Sequence, residues 1–133
     1  METCEFDIVE QVVDAAKAVH EWMGAGDERC HYVGALCEEL AARGLEVSES
    51  VWVPERYKGL VLVCGYSLDL VVENQVAVKV AGLNDDAAER ARNLRAALQL
   101  CEFRQGVFVD FNEAVLEEGI ERICQGVAEC TPV

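Results

Sequence analysis

Apolar residues recur at three- and four-residue spacing over the first part of the chain: Phe6, Val9, Val12-Val13, Ala16, Val19-His20 and Met23. That period predicts an amphipathic helix with one buried stripe. Gly24-Ala25-Gly26 is expected to end it, because glycine takes the left-handed C-cap conformation without strain. His20 falls on or beside the stripe near the helix C-terminus, and packing is its expected role. A second helix is predicted from about Glu28 to Arg43, with Tyr32, Ala35-Leu36 and Leu40 on one face and Gly44 as its stop.

The period then shortens to two. Val47, Val51 and Val53 predict a strand, and Pro54-Glu55-Arg56-Tyr57-Lys58-Gly59 a turn. A strand resumes at Leu60, bends at Gly65 and runs to Val72. Glu73-Asn74-Gln75 reads as a tight turn into a valine-dense strand, Gln75 to Ala81, of the kind found at the centre of a sheet. After a loop at 82–86, in which Asp85 or Asp86 is a candidate cap, a helix is predicted from Ala87 to Cys101. It turns Ala91, Leu94, Ala97-Leu98 and Cys101 inward and Glu89, Arg90, Arg92 and Arg95 outward. Val107 to Phe111 is a further interior strand, Asn112 to Cys124 an amphipathic tail element, and Glu129 to Val133 a frayed end. This order describes an α/β (α+β) fold: one domain over residues 1–133 whose mixed sheet carries helices packed against it. The connection through the third helix implies a right-handed crossover.

Charge changes the picture more than size does. Among 133 residues, 25 are acidic and 11 basic, a net charge of -14. Such a surface repels phosphate backbones, so nucleic acid is not an expected partner. The seven cysteines contain no C-x-x-C pair and fit neither a zinc ribbon nor a disulfide framework. Reduced thiols in a cytoplasmic or similar compartment are expected, with Cys64 and Cys101 as small buried hydrophobes. Cys30 beside His31 raises metal or nucleophile chemistry, but adjacent residues on a helix point apart, which argues against a joint site. The N-terminus lacks the pattern of a targeting segment, and no apolar run approaches membrane-spanning length. No Gly-rich phosphate loop is present, and no cofactor is expected.

The segment Gly65-Tyr66-Ser67-Leu68-Asp69-Leu70-Val71-Val72-Glu73 followed by Gln75-Val76-Ala77-Val78-Lys79-Val80-Ala81 resembles the central hairpin of the PD-(D/E)xK nuclease superfamily. There an Asp on one strand faces a Glu-x-Lys on the next. The wider element order is similar to the superfamily's αβββαβ core, and more closely to its small GxxExxY group, over residues 8 to 123. The supporting segments are Val12 to His20, Gly24 to Gly26, Leu40 to Leu45, Tyr57-Lys58-Gly59, Gly65-Tyr66, Asp69 to Glu73 and Val109 to Asn112.

What the resemblance implies about chemistry is set by the departures from it. Asp69 stands in the family's Asp position, whereas Lys79 and Ala81 stand in place of the Glu-x-Lys pair. Gly26 and Tyr32 keep the ends of the naming motif, but Arg29 replaces its glutamate. Glu28 lies one residue away, which on a helix turns a side chain by about 100°. Asn93 falls about where the family has glutamine. In the superfamily the two acids hold a divalent metal that activates water and the lysine orients that water. Here Lys79 is expected to form an ion pair with Asp69 across the strands, with the charged groups within about 4 Å or a water apart.

The expected function is therefore that of a nuclease fold without nuclease activity, retained as a protein-interaction or structural subunit. The rival is an active metal-dependent nuclease with a relocated site, drawing oxygen ligands from Glu73 or Asp85. Trp52 and Tyr57 are the candidate interface anchors. The expected partner is a protein of basic character, or a second copy of the chain.

Overall fold

The computed structural model describes residues 5–124, and side chains from residue 8 onward. The fraying expected at 129–133 and the place of Phe6 in the apolar stripe lie outside what it describes. Helix α1 spans Glu5–Met23 and α2 Arg29–Ala42. Strands β1 (Val47–Tyr57), β2 (Leu60–Val72) and β3 (Val76–Ala81) follow, then α3 (Ala87–Leu100) and β4 (Gln105–Asp110). A 3-10 turn at Leu116–Gly119 leads into β5 (Ile120–Cys124). The five strands lie in chain order across one sheet. Neighbours are antiparallel except β3 and β4, which run parallel through the α3 crossover.

Helices cover both faces of this sheet because the central strands are apolar on both. Val76, Val78 and Val80 of β3 join Leu70, Val72, Val107 and Val109 in a core with α1 and α2. Ala77 and Ala81 face the other way, against Ala91, Leu94, Ala97 and Leu98 of α3. Every residue of β3 is buried, as its valine density predicts for a central strand. The α1 stripe is buried as predicted at Val9, Val12, Val13, Ala16 and Val19. His20 packs too: its Nε2 lies 2.9 Å from the Glu113 carbonyl and its ring stacks on Phe111. Among the described residues no helix is long and apolar enough to cross a membrane.

Two elements and the state of the cysteines differ from the sequence reading. The predicted turn at 54–59 is mostly strand: β1 continues to Tyr57, and only Lys58-Gly59 turn, both at positive φ. Pro54 is tolerated because β1 is an edge strand, and the register shifts between Pro54 and Arg56. The hairpin end of β1 and β2 consequently leaves Tyr57, Leu60, Val61 and Val63 exposed, and Cys64 with them, contrary to its expected burial. Cys101 is half-buried. The tail element is not simply amphipathic but supplies β5, which pairs antiparallel with β4. Ile120 packs toward one core and Ile123 toward the other, so Ile120-Glu121-Arg122-Ile123 carries no period-two alternation by which the sequence would mark a strand. Cys30, Cys37, Cys64 and Cys101 are free thiols, but Cys124 is disulfide-bonded, which departs from a fully reduced set.

Two glycines permit backbone approaches that no side chain would allow. A Cβ on Gly65 would sit 2.3 Å from the Val53 carbonyl oxygen across the hairpin. One on Gly82 would sit 2.5 Å from the Arg29 nitrogen and 2.9 Å from the Asp27 carbonyl. Gly82 thus seats the end of β3 against the start of α2, where the Leu83 amide also donates to Asp27 O at 2.8 Å. The Asn112 side-chain amide donates to Gly82 O at 2.6 Å and so ties in the segment after β4. Substituting Gly82→Ala is expected to cost about 2 kcal/mol, because backbone rather than a flexible side chain must move. A urea titration checks this; a loss below a few tenths of a kcal/mol would mean the contact yields freely.

Candidate functional site

The loop between α1 and α2 is held from below by an aromatic stack. The ring of Tyr32, fully buried, lies 4.2 Å from that of Phe111 at an interplanar angle of 7°. Its hydroxyl donates to Gly24 O at 2.6 Å and accepts from the Asp27 amide at 2.9 Å. Together with Gly82 this fixes the entry of α2, and Arg29, its first residue, points back over the sheet.

Asp69 is the group that Arg29 meets. The carboxylate is only 8% exposed, near the end of the β2–β3 pairing. Its Oδ2 accepts from the Val80 amide at 2.8 Å and from Arg90 Nη2 at 3.0 Å. Its Oδ1 accepts from Arg29 Nη1 at 3.3 Å. Arg90 also donates through Nε to Val80 O at 2.6 Å, so one guanidinium clamps both the carboxylate and the strand beside it. On the outer side Arg29 Nε lies 3.4 Å from Asp85 Oδ2, and Asp85 accepts from the Gly82 amide at 2.9 Å.

Lys79 completes the cluster but not in the expected way. The β2–β3 pairing ends at Leu70↔Val78, one residue short of Asp69 and Lys79, and no ion pair joins the two. The two arginines take the carboxylate, and Lys79 Nζ instead donates to the Ser67 carbonyl at 2.5 Å. Burial holds the Lys79 ammonium below its ordinary proton affinity, the neighbouring Arg90 lowers it further, and Asp69 opposes them. Arg90 corrects a second expectation: its side chain is 16% exposed rather than turned to solvent. Position 90 lies one turn before Leu94 on the buried stripe of α3, and that spacing is the signal the sequence carried for it.

The other candidate positions fall around this cluster. Ala81 is buried at the end of β3, and Asn93 is half-buried on α3, one turn beyond Arg90. Glu28 is exposed, at the cap position of α2, and Glu73 lies at the opposite end of the hairpin, bonded to the Glu46 amide. Trp52 is 53% and Tyr57 57% exposed, on the edge strand. Cys30 and His31 do not point apart: their donor atoms and a Glu28 oxygen lie within 4.8 Å of one another.

A family model described as the PD-(D/E)XK nuclease superfamily matches residues 6–123. The chain belongs to that superfamily. No curated protein matches it, and no solved structure does. The mixed five-stranded sheet flanked by helices agrees with a superfamily core. The superfamily's divalent metal does not fit the residues at Asp69. Hard cations need several oxygen ligands. Here three of about four acceptor positions on the one buried carboxylate are filled by N–H groups, and three cationic side chains surround it. Asp85, the nearest further acid, is itself tied to Arg29.

Two outcomes distinguish a structural carboxylate from a metal ligand. Asp69→Ala is expected to destabilise the fold by about 3 kcal/mol, since it strands Arg29 and Arg90 without their anion. An acid held only for a metal behaves oppositely, and its removal from the metal-free protein relieves strain. Lys79→Met tests the lowered proton affinity. In the window between the lowered folded value and the ordinary lysine value of 10.5, the unfolded chain holds more protons than the folded one. Stability of the wild type therefore rises with pH there. The expected result is that the stability difference between wild type and Lys79→Met moves in favour of wild type from neutral pH to pH 10.5. A flat difference would show Lys79 titrating as a free lysine.

Proposed function

We propose that this superfamily member acts as a binding or structural subunit and does not cleave nucleic acid. The observation that carries the reading is the occupation of Asp69 by the Val80 amide, Arg29 and Arg90. In that arrangement side-chain cations neutralise the carboxylate where catalysis needs an exchangeable metal and its bound water. Lys79 and Ala81 at the Glu-x-Lys positions support the same conclusion, since neither supplies a second oxygen ligand.

Surface charge supports a protein partner. Lys17, Arg43, Arg95 and Arg122 each sit in an ion pair with a glutamate, which reduces the positive charge available to phosphates. A net charge of -14 suits a basic protein, with long-range attraction speeding encounter. The edge strand and hairpin end offer the apolar contact: Trp52, Tyr57, Leu60, Val61 and Val63 are all exposed. Large side chains of this kind carry binding energy at interfaces, and a second copy docking on the same hairpin is the homodimeric variant of the reading.

The test is incubation of purified protein with single- and double-stranded DNA and RNA in magnesium or manganese. No cleavage above buffer is expected, and no retention of nucleic acid at physiological salt. Cleavage by the wild type that is lost in an Asp69→Asn variant shown to be folded at the assay temperature would overturn the proposal.

A further inference from the structure

We propose that Glu28, Cys30 and His31 form a site for a borderline-soft divalent metal ion, zinc by preference, separate from the Asp69 cluster. One donor atom from each lies within 4.8 Å of the others, and all three residues are exposed. A thiolate, an imidazole and a carboxylate together are a donor set for zinc, whereas magnesium and calcium want oxygens alone. Zinc bonds of about 2.0–2.3 Å in a tetrahedron require donor atoms roughly 3.5 Å apart. The needed contraction of about 1 Å is within the rotamer freedom of exposed side chains.

The backbone explains why residues so close in sequence converge. Glu28 is extended, with φ -73° and ψ 148°, and its side chain caps nothing. It is therefore available to turn toward Cys30, whose Sγ lies 3.9 Å from Glu28 Oε1. Cys30 and His31 follow in the first turn of α2. The segment rests on backbone that is already fixed: the Asp27 amide is held by Tyr32 and the Asp27 carbonyl by Leu83. Asp27 Oδ1 lies 2.8 Å from His31 Nδ1, the carboxylate–histidine arrangement that orients a ligating imidazole and leaves its other nitrogen to the metal. Three protein donors leave a fourth position for water, or for a donor from another molecule. The strongly acidic surface attracts a cation to it.

The experiment is a titration of reduced, chelator-treated protein with cobalt(II), followed by displacement with zinc. One cobalt per chain should bind with a thiolate-to-cobalt charge-transfer absorption and the intense visible bands of tetrahedral cobalt, both abolished by zinc. Cys30→Ser should remove the charge-transfer band. His31→Ala and Glu28→Gln should weaken binding by at least about tenfold, and Asp27→Asn by about tenfold through loss of orientation. Cys64→Ser, which alters another exposed thiol, should change nothing. Retention of the band in Cys30→Ser, its equal loss in Cys64→Ser, or no band at all, would each overturn the assignment. The readout is spectroscopic and independent of whether the protein cleaves nucleic acid.

Discussion

A carboxylate buried between a sheet and two helices must be satisfied in place, and in this protein the whole arrangement around the end of β3 follows from that need. Removing an ionised group from water costs several kcal/mol unless hydrogen bonds and countercharge replace the solvent. Asp69 obtains them from three separate segments: the amide of Val80 on β3, Arg90 on α3 and Arg29 at the start of α2. Each donor is useful only if its element sits where it does. The interaction therefore acts as a register mark, setting α2 and α3 relative to the same strand from opposite faces of the sheet.

The same geometry explains how the fold can stand without a metal at the end of β3. The sheet and its two apolar cores hold independently of the site, through valines of β3 and β4 and the helices packed on them. A metal at the end of β3 would add countercharge to Asp69, and two guanidinium groups supply that countercharge permanently. Arginine suits the task because its planar fork gives several donors at fixed angles, and Arg90 uses two of them on different acceptors. Lysine in the same cavity is a poorer fit. Lys79 carries a point charge beside two guanidinium groups and finds a carbonyl rather than the carboxylate, and it loses proton affinity chiefly through burial, with Arg90 adding to the effect.

How much of this was legible in the sequence depended on period and on competition. The α1 stripe, the β2–β3 hairpin and the inward face of α3 were readable because each repeats its period over several turns or pairs. An aspartate cap at 85 or 86 was readable for a local reason, and Asp86 takes the role because its side chain needs only the Glu89 amide three residues on. The partner of Asp69 was not. Extending the hairpin register in the sequence puts Lys79 opposite, but two arginines from distant elements compete for the same carboxylate, and no local spacing ranks them. The edge elements β5 and the outer part of β1 were missed because few residues there are buried on a defined face. Cys30 and His31 were misjudged since helical angles describe helix interiors, whereas Glu28 joins them from an extended cap position.

In open α/β sheets ligands settle beyond the carboxyl ends of the strands, where the connections diverge and leave a crevice. Here that end of β3 is occupied instead. Gly82 lets α2 begin in direct backbone contact with the strand, and a side chain of any size at that position would hold the two apart. Arg29 then reaches inward across the gap so closed, while Asp85 holds its outer edge. A long cation is the one kind of side chain that can both span that distance and neutralise what lies beneath it. The glycine and the arginine consequently depend on each other: without the close approach Arg29 would fall short of Asp69, and without Arg29 the approach would bury a carboxylate with one oxygen unanswered.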